Sequence, residues 1–480
     1  MNTIKRIAKN TAVLLISNVS GKVLGFFYVM YAARYLQASG FGVLSFALAF
    51  TGLFVVLADA GLIQLSIREL ARDRPATLKY LRNIITIKSF LSIITFGLMI
   101  LTINLLGYPQ QTIKVVFFIG LYTIINSFVD TFYSIFQAFE KMEYDSISQI
   151  IKNVLLFCGI MFIIHAGYGI IEISVVYLAS AIISILFCYY ILNRKILAPD
   201  NRWAPLHLEI DLPFWKSTLK KSLPFGLSSI FVMIYFWIDS VMLSFLKGDE
   251  VVGWYNAAYR SVLFLLIIPS SIVSAIFPVA SKFFKSSRND LILLYEKIFK
   301  YLILLALPTG VGITFLADRI ILLIFDASYE PSIIALQILV WAGVFLSVTT
   351  LFGTILASID KQNLGMWTVG ICALFNVILN IILIPRFSYT GASVVTVVTE
   401  IIGFTLQFYF ISKYLYHVRF LKLIIMPIIG CAIMLTGLFL LKELNIFLLI
   451  FIAITIYFCF LLISKVITKN ELKLIRGIFK

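Results

Sequence analysis

The sequence predicts an all-α integral membrane protein of about 14 transmembrane helices, built as two six-helix lobes in parallel repeat plus two peripheral C-terminal helices. Three observations carry that expectation: the composition, the spacing of the apolar runs and the distribution of positive charge. Of 480 residues, 61% are hydrophobic and 13% charged, whereas a soluble domain holds roughly 45–50% apolar and about 25% charged residues. No water-soluble core absorbs such an excess. A hydrocarbon layer about 30 Å thick takes roughly 20 apolar residues per helix, so nearly the whole chain is committed to the bilayer.

Apolar runs between polar breaks place spans 1 to 14 at 11–33, 42–64, 83–106, 114–138, 147–165, 168–191, 223–246, 252–278, 299–324, 331–357, 364–384, 389–411, 421–440 and 443–465. The first follows a short basic stretch, Met1 to Asn10, and is too long for a signal-peptide core, so it is expected to remain as a span. Threading the chain with a cytoplasmic N-terminus puts 30 of the 39 basic residues on the cytoplasmic side, Lys152 among them, and six on the outside. An error of one span would invert every later loop and destroy that bias. The net charge of +16 is thereby accounted for by orientation, and no nucleic-acid partner is implied. The five cysteines lie inside apolar runs without paired spacing, so they read as small buried side chains, with no disulfide, metal or other cofactor expected.

Span 6 is followed by the longest polar segment, 193–222, which carries Pro199, Pro205 and Pro213. It divides the chain into an N-lobe (1–192), this inter-lobe linker, a C-lobe (223–411), and spans 13 and 14 with a basic tail (412–480). The lobes repeat one another. Tyr35-Leu36 and Phe41-Gly42-Val43-Leu44 fall on Phe245-Leu246 and Val252-Gly253-Trp254-Tyr255, Glu140-Lys141 on Asp360-Lys361, and Tyr168-Gly169 on Thr390-Gly391. An even number of spans per repeat keeps both halves in one orientation, with a pseudo-twofold along the membrane normal and a substrate path between the halves.

Several stretches carry a family resemblance: Ala33-Arg34-Tyr35-Leu36 with Gly40-Phe41-Gly42, Asp59-Ala60-Gly61-Leu62, Phe136-Gln137-Ala138-Phe139-Glu140-Lys141-Met142, Leu223-Pro224-Phe225-Gly226, Trp237-Ile238-Asp239-Ser240, Gly253 to Arg260, and Ile384-Pro385-Arg386 with Tyr389-Thr390-Gly391-Ala392. Across essentially its whole length the chain resembles the polysaccharide-biosynthesis membrane proteins, closest to Wzx-type O-antigen or oligosaccharide flippases of the multidrug/oligosaccharidyl-lipid/polysaccharide (MOP) exporter superfamily. The resemblance implies a V-shaped pair of lobes working by alternating access, with spans 1, 2, 7 and 8 lining a cavity whose cations hold a lipid pyrophosphate. It also implies a plasma-membrane location and a polyprenyl-linked oligosaccharide as cargo, with membrane lipid and other polysaccharide-assembly membrane proteins as partners.

Ionisable groups within spans cost several kcal/mol unless they pair or meet water, which singles out Lys22, Asp59, Asp130, Asp239, Arg260 and Glu400. Lys22 shares a polar, small-residue face with Asn18 and Gly25, and it matches the cavity cation that the resemblance implies, as does Arg260. Asn256 lies one turn before Arg260, and Tyr235 one turn before Asp239. Asp239 and Arg260 stand at nearly equal depth, roughly 11 and 12 Å from the loop joining spans 7 and 8 at 1.5 Å per residue. They are expected to form an ion pair, which either fastens span 7 to span 8 or gives way when an incoming pyrophosphate competes for Arg260 and Asp239 takes up a coupling proton; a sodium ion is the other candidate coupling ion. Glu400 and Asp59 are further ion-coupling candidates, although Asp59 also reads as a helix-end partner of Arg68. Lys88 is expected to snorkel to the headgroups. Tyr235, Tyr255 and Tyr259 are the candidate sugar-stacking rings. The rival within the superfamily is a multidrug exporter, whose cavity would be acidic and apolar; two buried cations argue against it. No outer loop is long enough to fold over an enzyme's substrate, and no GxxxxGK[ST] offers a nucleotide site.

Overall fold

The computed structural model describes residues 3–197, 207–418 and 420–466, with side chains over 19–197, 207–418 and 423–466. Asn18 therefore lies outside the described side chains. No strand occurs among the described residues. Helix α1 (Thr3–Asp59) is interrupted at Gln37, whose φ of 58° and ψ of 177° no α-helix contains. A straight helix of that length would measure about 85 Å, nearly three times a hydrocarbon core of about 30 Å, so α1 holds spans 1 and 2. A short helix α2 (Leu62–Arg72) follows, burying Leu62, Leu65 and Leu70 on one face. Spans 3 to 6 are α3 (Thr77–Leu105), α4 (Gln110–Ala138), α5 (Met142–Ala166) and α6 (Ile170–Leu192).

Span 7 is α7 (Leu212–Lys247), capped by Asp211, whose carboxylate accepts from the Phe214 N–H at 3.1 Å. Span 8 is divided into α8 (Asp249–Leu265) and α9 (Ile267–Ser286). Pro269 explains the break: without an N–H it cannot bond back to Leu265. Spans 9 and 10 are α10 (Arg288–Ile324) and α11 (Ser332–Ser358). Helix α12 (Gln362–Tyr414) repeats the arrangement of α1, with non-helical angles at Ser388, and holds spans 11 and 12. With α1 and α12 each divided in two and α8 joined to α9, helices α13 (Phe420–Leu440) and α14 (Ile446–Ile463) bring the spans among the described residues to 14, as expected.

The chain forms two compact units, Met1–Ala257 with Val369–Ala392 and Ala258–Thr368 with Ser393–Lys480. In the first unit, Leu62, Tyr80, Ile84, Phe132 and Phe136 form a core against which Phe214, Trp215 and Leu219 pack. The end of the expected linker is thus helical and strapped onto span 3. Trp215 Nε1 donates to Asn83 Oδ1 at 3.1 Å, Lys79 pairs with Asp211 at 3.1 Å, and the Glu209 N–H donates to Thr86. In the second unit a core around Tyr295, Phe299, Phe352 and Ile411 joins spans 9, 10 and 12. There α13 and α14 pack on α10 through Leu304, Leu316, Met434 and Tyr457. Large apolar residues such as Ile93, Phe162, Leu186, Phe447 and Ile463 lie exposed along the spans, a surface that only lipid covers without cost.

Candidate functional site

Asp239 is the centre of the most developed polar cluster in the first unit. It lies within span 7, 4% exposed, and its carboxylate accepts from Tyr255 Oη at 2.8 Å and Asn380 Nδ2 at 2.5 Å. Asn380 Nδ2 also donates to Asn376 Oδ1 at 2.9 Å, and the buried Asn380 Oδ1 has no hydrogen-bond donor among the described residues. Beside the cluster, Asn256 donates to Ser240 Oγ at 2.9 Å and to the Val252 carbonyl at 3.1 Å. Spans 7, 8 and 11 therefore meet through carboxylate, amide and hydroxyl groups in an otherwise apolar region. Sequence reasoning found Asp239, Tyr255 and Asn256 but missed Asn376 and Asn380. Their signal was present: two amides at i and i+4 lie on one helix face within an apolar run.

Two of the groups that donate to the Asp239 carboxylate, Tyr255 and Asn380, are neutral. Arg260, its expected partner, is half-buried on α8. Tyr255, expected as a stacking surface, is 1% exposed and commits its hydroxyl to Asp239, so its ring is closed to a sugar in this state. Tyr235 and Tyr259 are half-buried, Tyr235 edge-on to Phe236 at 5.1 Å. Lys22 is exposed on span 1; its neighbour Gly21 faces Asn153 of span 5 so closely that a Cβ would approach Asn153 Nδ2 to 2.8 Å. Glu400 is buried in span 12, 3% exposed.

Three expectations are corrected in spans 2 to 5. Lys88 does not snorkel. Its ammonium is fully buried and fills its three donor positions with Asp59 Oδ1 at 3.0 Å, the Ser127 carbonyl at 2.8 Å and Thr131 Oγ1 at 3.0 Å. Asp59 therefore takes Lys88 as its partner, while Arg68 pairs with the adjacent Glu69 at 2.8 Å. The physical reason is saturation: a lysine with three good acceptors inside the bundle gains more there than by reaching for headgroups. Lys152, assigned from sequence to a cytoplasmic segment, lies within α5 and donates to Asn126 Oδ1 at 3.0 Å, and Asn126 in turn donates to Asp130 at 3.2 Å.

Fourteen spans among the described residues, with charged and amide groups buried within the units they form, fit a polytopic transporter of the MOP superfamily. The chain belongs to the polysaccharide biosynthesis protein family, whose pattern residues 7–284 match; residues 224–382 also match the MatE family. Among curated relatives, the probable low-salt glycan biosynthesis flippase Agl15 of Haloferax volcanii is 23% identical over 85% of this chain and 84% of its own length. The uncharacterized membrane protein MJ1068 of Methanocaldococcus jannaschii is 27% identical over 70% of this chain and 67% of its own. In fold, the chain is similar to the lipid II flippase MurJ in an inward closed conformation, with a TM-score of 0.78 at 17% identity, covering 96% of this chain and all of that one. An inward-facing multidrug-resistance MATE transporter follows, with a TM-score of 0.64 at 16% identity over 83% of this chain and 95% of its own.

Proposed function

We propose that this chain is a flippase that carries a polyprenyl-linked oligosaccharide, an O-antigen or other surface-polysaccharide unit, from the cytoplasmic to the outer leaflet of the plasma membrane by alternating access. The observation that carries this reading is family membership over more than half of the chain, together with a glycan-flippase relative aligned over 85% of it. The protein acts as a transporter without a catalytic step, and both termini are cytoplasmic. Lys22 and Arg260 supply positive charge to the lipid pyrophosphate, assisted by Asn18 and Asn256, while Tyr235 and Tyr259 offer ring faces to sugar.

Asp239 with Tyr255, Asn376 and Asn380 forms the ion-coupling site. A carboxylate and amide oxygens are the ligands that a hard monovalent cation requires, and the orphaned Asn380 Oδ1 supports sodium at this site, with a proton on Asp239 as the other occupant. Glu400 and Asp59 are secondary ionisable groups in this scheme. The MatE match over residues 224–382 favours a second reading, export of organic cations through the acidic half of the same site.

The test is reconstitution in sealed proteoliposomes with a fluorescent polyprenyl-pyrophosphate oligosaccharide, read by a lectin that cannot cross the membrane. Protein-dependent translocation, enhanced by an imposed sodium or proton gradient and lost in Asp239→Ala, is expected. Translocation of organic cations instead of glycolipid would transfer the chain to the second reading.

A further inference from the structure

Span 2 meets spans 7 and 8 at both of its ends, and at each end the contact depends on glycine. At the end where span 8 begins, a Cβ on Gly42 would overlap the Asp249 carbonyl and come within 3.0 Å of the Gly253 nitrogen, and a Cβ on Gly253 would overlap the Ala38 carbonyl. At the linker end, a Cβ on Gly61 would overlap the Gly226 nitrogen and approach the Ser222 carbonyl to 2.5 Å, and one on Gly226 would lie 3.0 Å from the Ala60 carbonyl. No other residue permits backbone to touch backbone so closely. Between the two ends, Gly52 faces the Trp237 indole, with 3.6 Å left for a Cβ. Gly42 and Gly253 are equivalent positions in the internal repeat.

Each contact has a carboxylate tied down beside it. At the linker end, Asp59 directly precedes the left-handed turn of Ala60 and Gly61, with φ of 48° and 79°, and Lys88 holds it from span 3. At the opposite end, Ser244 donates to Asp249 at 2.6 Å, so Tyr108 donates to Ser244 at 3.1 Å. The Tyr108 ring stacks on Phe46 of span 2 at 4.8 Å. The two turns that bear the closures are thus each fixed to span 3 or to the loop after it.

We propose that Gly42 with Gly253 and Gly61 with Gly226 are the two gates of the transport path, both shut in this state, and that Lys88–Asp59 and Tyr108–Ser244–Asp249 are their latches. The proposal rests on the alternating-access reading for its purpose, but the contacts can be tested without any substrate.

In full-length protein with its five cysteines replaced, Gly52→Cys is the reporter, and a membrane-impermeant maleimide is applied to each face of sealed vesicles. The reporter alone is expected to label poorly from both faces. Gly253→Leu opens labelling at least fivefold only from the face where span 8 begins, and Gly226→Leu only from the linker face. Should the wedges fail to fold, the milder latch variants decide: Tyr108→Phe raises labelling from the face where span 8 begins, and Lys88→Met from the linker face. Equal labelling from both faces, or none in well-folded latch variants, overturns the gates. Face-specific opening without glycolipid translocation would keep the gates and remove the flippase reading.

Discussion

Lys88 is held in the membrane interior by a counter-ion, a backbone carbonyl and a hydroxyl, whereas Asp239 accepts hydrogen bonds from the neutral Tyr255 and Asn380. Removing one partner of a buried ion pair costs about 3–5 kcal/mol, because the other charge is left unpaired. Lys88→Met is therefore expected to lower the thermal midpoint in detergent, and Lys88→Met with Asp59→Asn to recover most of the loss; no recovery would show that Lys88 acts through Ser127 and Thr131 instead. Tyr255→Phe removes one of the hydrogen bonds to Asp239, at about 1–3 kcal/mol for the carboxylate left less satisfied. It should weaken ion-stimulated transport more than basal transport in the proteoliposome assay. Sequence legibility at this scale followed charge. Asp239 stood out because ions in spans are rare, whereas Asn376 and Asn380 passed as ordinary polar residues in an apolar run. For Lys88 the apolar run starts span 3 at residue 83, near the headgroups, whereas α3 begins at Thr77 and turns this side chain inward.

Elements were legible where a polar break separates two apolar runs. The reversals at Gln37 and Ser388 were placed correctly although α1 and α12 each run through them without a loop, because hydrophobic thickness sets span length whatever joins the spans. The segment 212–222 read as linker because of its lysines and prolines, yet its aromatic residues Phe214 and Trp215 dock it on span 3. Asp211 is the hinge of this strap. The Phe214 N–H, and after it Lys79, hold its carboxyl below the usual carboxylate range. A depressed folded pKa contributes stability above the ordinary carboxylate pKa of about 3.9 and loses it as pH falls through the folded value. The protection of the Glu209 and Phe214 amides against hydrogen exchange, relative to the intrinsic rate at each pH, should fall on acidification below about pH 4, and Asp211→Asn should abolish that step. A step unchanged in the variant would assign it to another group.

At the scale of the whole molecule, orientation and transport belong to one scheme. The proposed orientation, with both termini cytoplasmic, has Lys216 and Arg288 on the cytoplasmic side and Lys247 and Arg386 outside. Single cysteines at those four positions should label accordingly with an impermeant reagent in intact cells, and labelling of position 216 from outside would invert the scheme. The central claim is that a cation on span 1 receives the lipid pyrophosphate during flipping. Its most direct measurement is the outer-leaflet level of polyprenyl-linked oligosaccharide in cells that depend on this chain, comparing the natural protein with Lys22→Ala at matched abundance. The account predicts at least a tenfold drop in lectin-accessible glycolipid with accumulation on the cytoplasmic side, whereas undiminished glycan in the variant would contradict it.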